Sequence, residues 1–554
     1  LSATVLVNMK SHSSSSYTNT LSPYFYKVMD YTWDPSDPEF FYLELLQKGT
    51  DYIKQGTINR YSDRTFYFDA RVNYNRRFGE DHTVSGMLMY MQREYRSDVL
   101  PQRNQGLSGR FTYDYQNKYF AEFNFGYNGT ERLASGHRFE FFPAMSLGWA
   151  VSNESFWEPL STAVTHFKIR GSYGLVGSDE TGLLAGAAHF LYINNVNIDG
   201  SGIFSTGPYD GVYISKKGPG IEGYAVENAS WERAKKFDIG VDLNLFDQVS
   251  ITFDYFHDRR DRILQKRGSW PVIMGYAHAT PWSNIGKVDN KGFELSVNWK
   301  KEIIKDMFVD LRGNFTYTQN KYVYNDEPDY PYVWQTKTGK PLSCTYGYIA
   351  DGLFEDEDDI RNSPSQKNLG STVMPGDIKY RDVNGDGAIT TEDQVMLSRY
   401  GGIPRIQYGF GLNWTYKNID FGVFFNGSAQ RTLMIDNIAP FCSDVGNQDR
   451  NLMKFIADNY WSEASPNPEA AYPRLGVNNS QVANNMKPSS FWMRNGNFLR
   501  FKTLELGYSF SFCRIYLSGD NLAVWSPFKL WDPELSYSAY PLQRAINIGA
   551  QFTF

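Results

Sequence analysis

The chain has 554 residues, a net charge of −6 and a pI near 5.8, so it lacks the basic footprint of a nucleic-acid binder and no nucleic-acid partner is expected. Aromatic residues reach 16 % against 21 % charged, a bias that suits the half-buried surfaces of β-strands. The mean hydropathy is negative, and no stretch approaches the roughly 18 consecutive apolar residues of a membrane helix. A transmembrane β-barrel remains open, because its strands show lipid only every second residue.

Alternation starts near residue 65. Phe66, Phe68, Ala70, Val72 and Tyr74 face one way, while Tyr67, Asp69, Arg71 and Asn73 face the other. Tyr119, Ala121, Phe123, Phe125 and Tyr127 repeat the pattern, and so do Phe237, Ile239, Val241, Leu243 and Leu245. Further along come Val309, Leu311, Phe315 and Tyr317, then Tyr408, Phe410, Leu412, Trp414 and Tyr416. The last segment sets Ile546, Ile548, Ala550, Phe552 and Phe554 against Asn547, Gly549, Gln551 and Thr553. These runs are long for a soluble sandwich and suit a tilted strand crossing a bilayer. Aromatics also collect at their ends, as at Tyr113–Tyr115 and Trp414–Tyr416, where an interfacial girdle would lie.

The connections alternate in length. Short turns at Gln116–Lys118, Asp247–Gln248, Lys417–Asn418 and around Phe512 face long Gly/Pro/Asn/Asp-rich stretches near 177–234, 260–284, 320–404 and 429–490; 152–163 is a longer connection on the short side. Outer-membrane barrels pair short periplasmic turns with long external loops in this way. The expected fold is therefore all-β, a transmembrane antiparallel β-barrel of which about fifteen or sixteen strands are present, a count of segments that follows the strand-length argument. Leu1 opens the sequence without any signal-peptide pattern, so the chain is expected to be a piece of a longer exported precursor.

The longest loop, 320–404, holds one sharp motif at 382–393. Asp382, Asn384 and Asp386 offer side-chain oxygens at calcium-loop spacing, Gly387 permits the tight turn, and the Ala388 carbonyl, Thr390 and Asp393 complete a candidate calcium set. Asp393 stands where Glu is usual, and its shorter arm predicts weaker binding. The run Glu355–Asp359 reads as a solvated face rather than catalytic carboxylates, since five adjacent acids repel one another. Loop aromatics Trp270, Trp282, Tyr330, Tyr332, Trp334, Trp461, Trp525 and Trp531 could stack on sugar rings or peptide side chains, although loop packing uses the same residues. Of these, Trp270, Trp282, Trp334, Trp461 and Trp531 are the candidate substrate residues. No nucleophile elbow, P-loop, dinucleotide fingerprint or zinc-binding histidine pair is present, and no catalytic residue is expected. Cys344, Cys442 and Cys513 match no metal or redox spacing.

Several passages, in order, resemble the SusC-type TonB-dependent transporters of Bacteroidota outer membranes. They are Arg138–Trp149 with Glu154–Trp157, Asn228–Arg233 leading into Phe237–Asp242, Gly347–Phe354, Pro375–Gly387, Phe498–Tyr508 and the final Phe554. The resemblance implies a 22-stranded barrel, an N-terminal plug and TonB-contacting segment not found in this sequence, and a SusD-like surface lipoprotein. It implies TonB-driven import of oligosaccharides, less often peptides, with outer-membrane lipid around the wall. The competing expectation is a soluble calcium-binding carbohydrate-active protein, since 382–393 also looks like half of a dockerin.

Overall fold

The computed structural model describes the chain except for residues 30–41, 98–99, 181–189, 207–213, 272, 274–280, 437, 439–440, 442–451, 477–478, 537–538 and 554. Cys442 and Phe554 thus lie outside the described residues. Sixteen strands form one sheet in which each pairs with its neighbours in sequence order, always antiparallel. The first eight are β1 (Ser2–Thr20), β2 (Lys54–Phe78), β3 (His82–Arg96), β4 (Gln102–Tyr115), β5 (Tyr119–Thr130), β6 (Phe139–Ala150), β7 (Val164–Ser178) and β8 (Glu232–Leu245). The rest are β9 (Val249–Lys266), β10 (Trp282–Ile304), β11 (Met307–Tyr324), β12 (Ile406–Tyr416), β13 (Ile419–Ala429), β14 (Phe498–Ser509), β15 (Cys513–Trp525) and β16 (Ala545–Phe552). The edge strands β1 and β16 each pair on one side only.

The expected strands and their faces are present. Val72, Leu88, Leu107, Phe123, Phe141, Leu147, Ile239, Leu311, Phe410, Leu506 and Leu517 stand exposed on the greasy face. Crossing a bilayer takes only about 9–11 tilted residues, so β2 with 25 residues and β10 with 23 project well past it. This explains a strand that the periodicity does not mark. In β1 the stretch Ser11–Ser16 has no apolar alternation, yet it pairs residue for residue with Asn59–Arg64. Backbone hydrogen bonds carry the ladder there, with His12 reaching Asp63 at 3.1 Å across it, because beyond the lipid neither face needs to be greasy.

The short turns are tight for a local reason. Gln116 and Asn117 both have φ of 54°, and Phe246 and Asp247 have 53° and 56°. Two consecutive positive φ values make the turn whose twist matches that of the flanking strands. The second turn is centred one residue earlier than its composition suggests, since Phe246 takes a position more often held by Asn or Gly. At this end the rings form a girdle. Tyr119 stacks between Tyr115 and Trp149 at centroid distances of 6.3 and 6.4 Å, and Tyr508 meets Phe510 at 4.7 Å.

The opposite end is not a set of irregular loops. Residues 325–405, 430–497 and 526–544 share one hydrophobic core that includes Tyr348, Ile378, Tyr380, Ile435, Trp492 and Phe528. A second cluster packs Leu133, Phe142, Leu191, Trp231 and Leu264 beneath the connection between β7 and β8. That connection also contains a hairpin of Asn195–Thr206 with Ile214–Gly223.

Candidate functional site

The polar face of the wall carries charge in paired clusters near the short turns. On β7 the Arg170 guanidinium meets Asp254 at 2.6 Å, Asp242 at 3.2 Å and Asp238 at 3.4 Å. It lies over β8 at Gly240, where an added Cβ would stand 2.6 Å from its Cζ and 2.3 Å from Asp254 Oδ1. The same construction recurs on β15. Arg514 donates to Asp420 at 3.0 Å and to Glu505 at 2.5 Å, over Gly507 on β14. A Cβ at Gly507 would fall 2.5 Å from the Asp420 carboxylate. In both places a strand glycine makes room for a guanidinium to lie flat against the sheet and gather carboxylates from its neighbours. Cavities of about 590 Å³ and 510 Å³ open beside these clusters.

On the far side the loops are tied by a buried polar network. Asp377 is wholly buried and takes hydrogen bonds from Met374 N at 2.9 Å, Asn485 Nδ2 at 2.8 Å and Arg474 Nη2 at 3.1 Å. Asn485 Oδ1 in turn accepts from Ile378 N at 2.9 Å. Gln366 bridges the same two loops, donating to Asn484 Oδ1 at 2.7 Å and accepting from Tyr380 N at 2.6 Å. The Tyr380 hydroxyl donates to Asn484 O at 2.7 Å, and the Trp492 indole to Asn485 O at 2.8 Å. Burial pushes the Asp377 carboxyl up, with Arg474 pulling the other way. Asp359 and Glu327 fall below the usual carboxylate range. Burial opposes this, but it is outweighed by Lys379, Glu355 N and Ser363 at Asp359, and by Lys337 N, Thr338 and Asn325 at Glu327. Because most partners lie on different loops, the network ties two of the connections together, and the third joins them through the shared hydrophobic core.

The calcium-loop motif sits in this platform with its carboxylates turned to the backbone. Asp382 accepts from Gly385 N at 2.6 Å and Gly387 N at 2.8 Å, and Asp386 accepts from Ala388 N at 2.8 Å. Asn384 and Asp386 touch at 3.1 Å. Asp393, read from sequence as the closing ligand, is wholly buried; one of its oxygens accepts from Val383 N and Asn384 N and the other from Thr390 N. The Thr390 side chain accepts from Glu392 N in the same turn. Among the described residues no group of three or more His, Cys, Asp or Glu side chains converges to hold a metal ion. The carboxylates of Asp382, Asp386 and Asp393 are thus all engaged with backbone N–H groups of their own loop.

The five candidate tryptophans are scattered rather than gathered into one site. Trp282 is not in a loop: it opens β10 and packs against the cluster around Trp231, with Lys266 Nζ 5.6 Å from its ring. Trp334 stacks on Tyr332 at 4.6 Å and donates to Glu392 O at 2.8 Å, so it braces the 382–393 loop. Trp531 meets Phe528 edge-on at 4.8 Å and donates to Leu535 O. Trp461 belongs to the platform core, its ring against Gly376. Trp270 is half-buried in the β9–β10 connection. Cys344 and Cys513 are free thiols, and burial pushes the Cys344 thiol up, away from reactivity. The residues missed by sequence reasoning are Asp377, Gln366, Arg474, Asn484 and Asn485. They stand 97 or more positions apart where they cross between loops at Asp377–Arg474, and no local spacing signals that.

One cleft of about 850 Å³ opens on the platform beside the acidic run, lined by Glu355, Glu357, Met374, Tyr460, Trp461 and Glu463 among others.

A lipid-facing antiparallel meander with short turns at one end and a packed loop platform at the other defines a transmembrane β-barrel of the outer membrane. The family model for the β-barrel of TonB-dependent receptors matches residues 9–522, and the chain belongs to that family. Among curated relatives, it is 26 % identical over 468 residues to TonB-dependent receptor P3 of Formosa agariphila, covering 80 % of this chain and 43 % of that protein. It is 24 % identical over 470 residues to TonB-dependent receptor SusC of Bacteroides thetaiotaomicron, again covering 80 % and 43 %. The chain spans less than half the length of these two relatives. The RagAB peptide importer in its closed-closed state has a similar fold, with a TM-score of 0.66 at 16 % identity, over 100 % of this chain and 60 % of that one. Membership in this family, together with the sixteen-stranded wall, displaces the soluble, dockerin-like alternative.

Proposed function

We propose that this chain builds most of the wall of an importer that takes up oligosaccharides across the outer membrane with a SusD-like surface lipoprotein, energised by TonB. The observation that carries the reading is the platform. Three long connections fold onto one core at one end of a polar-faced wall, which gives a partner protein a rigid broad surface and leaves the solute a charged path. Peptide import is the second reading, favoured by the fold shared with RagAB. The test is deletion of the complete gene together with its lipoprotein partner. Loss of growth on one class of glycan supports the proposal, loss confined to peptides moves it to the second reading, and normal growth on every source overturns both.

A further inference from the structure

The acidic cleft lies apart from the sheet and borders the polar network at Met374 and Arg474, and it has a chemistry of its own. Glu355 and Glu357 flank the start of the short helix Glu357–Arg361, and Glu463 faces them from the 430–497 loop. None of the three has a cationic partner among the described residues. The two arginines at the rim are already engaged, Arg361 with Asp358 and Arg474 with Asp377. The floor is apolar and aromatic: Met374 is 40 % exposed, Tyr460 is half-buried, and Trp461 forms part of the wall. Trp461 is only 6 % exposed, yet its indole N–H meets no acceptor among the described residues. A buried donor left without a partner costs free energy that a bound carbonyl would recover.

We infer that this cleft binds a short cationic peptide. The lysine or arginine side chains lie along Met374 and Tyr460 with their charges against Glu355, Glu357 and Glu463, and a backbone carbonyl accepts the Trp461 N–H. Aromatic and carboxylate groups together suit a long alkyl stem ending in a cation. A cleft of this volume takes a few side chains, which favours a peptide over the flat surface of a folded partner. The inference stands whether the solute crossing the wall is a glycan or a peptide.

The test uses the full-length protein in detergent with fluorescent acetyl-trilysine amide as the probe. Saturable binding that falls with added salt is expected, because a partly exposed charge pair is screened. The triple variant Glu355→Gln, Glu357→Gln, Glu463→Gln should bind about tenfold more weakly, since the three ammonium groups of the probe lose the three carboxylates they face. Trp461→Phe should weaken binding while keeping the ring, and Asp329→Asn, outside the cleft, should change nothing. Heat-modifiable migration reports that each variant is folded. The inference is overturned by absent or unsaturable binding, by wild-type affinity in the triple variant or in Trp461→Phe, or by equal binding of acetyl-triglutamate amide or a glucosamine trimer.

Discussion

Arg474, from the loop after β13, reaches the wholly buried carboxylate of Asp377, from the loop after β11, and contacts it at 2.7 Å through Nε and 3.1 Å through Nη2. The same guanidinium donates to Gln481 O at 2.7 Å. Removing Asp377 leaves Arg474 without its countercharge, orphans Met374 N and leaves Asn485 Nδ2 only its 3.5 Å contact with Arg474 O. Asp377→Ala is therefore expected to weaken the platform by about 3–5 kcal/mol while the sheet survives, since no strand hydrogen bond is touched. Hydrogen exchange should speed up in 345–381 and 470–492 together, with heat-modifiable migration unchanged. Faster exchange in only one of the two loops would show that they are not a unit.

The 382–393 loop is predicted to be indifferent to chelation. Asp393 already accepts three backbone N–H groups, so the loop holds its shape through its own carboxylates. Asp393→Ala orphans these donors in a buried position, at roughly 1–3 kcal/mol for each that water cannot reach. Limited proteolysis should show cleavage near 382–393 in the variant, and the same wild-type pattern in calcium and in EDTA. Protection by calcium would mean that Asp393 turns outward to bind the ion.

Acid should loosen the platform, and Glu327 offers a way to isolate one contribution. Its carboxylate receives Lys337 N at 2.7 Å, Thr338 Oγ1 at 2.7 Å and Thr338 N at 2.9 Å, which outweigh its burial and hold it below the ordinary value of 4.5. For an acid whose folded value is depressed, the stabilisation is present above the unfolded value and lost as pH falls through the folded one. Asp359 works in the same sense, whereas Asp377, raised by burial, works in the opposite sense. The acid-induced rise in proteolysis of 325–345 should therefore shrink in Glu327→Gln relative to wild type. An unchanged acid response in the variant would assign that response to other groups.

Glycines opposite the wall arginines are predicted to resist substitution. Gly240→Ala drives a methyl into Arg170 and Asp254, and Gly507→Ala into Arg514 and Asp420. Each overpacks a paired charge cluster, with an expected cost of about 1–3 kcal/mol. The apparent unfolding temperature from heat-modifiable migration should drop in both variants, and less in Gly313→Ala, where an added Cβ meets nothing nearer than 3.9 Å.

Adjacent residues on β5 separate the two faces. Phe123 is 41 % exposed on the greasy side, and Asn124 points to the polar side, within reach of Glu122 at 2.7 Å. Phe123→Arg should cost about 2–4 kcal/mol near mid-bilayer, while Asn124→Arg is tolerated. Folding yield into lipid vesicles compares them directly, and equal yields would contradict the assignment of faces.

The sequence by itself determined the wall. A strand places every second residue on the same side, so lipid on one face writes a period of two that can be read at 66–74 or 408–416 without knowing what the strand pairs with. Turn position was legible for the same reason, as chain reversal at Gln116–Lys118 depends on a few neighbouring residues. Where no lipid imposes alternation, in the Ser11–Ser16 reach of β1, the signal vanished although the strand did not. The loop platform was decided only by tertiary structure. Asp377, Arg474 and Asn485 act because folding brings them to one buried point, and each alone reads as an ordinary loop residue. Folding likewise brought three backbone N–H groups to Asp393, stacked Trp334 on Tyr332, and packed Trp461 and Trp531 with the platform core. Composition and spacing name the donors a loop possesses. Which acceptor each donor meets depends on contacts between residues far apart in the chain, and only the folded molecule makes those.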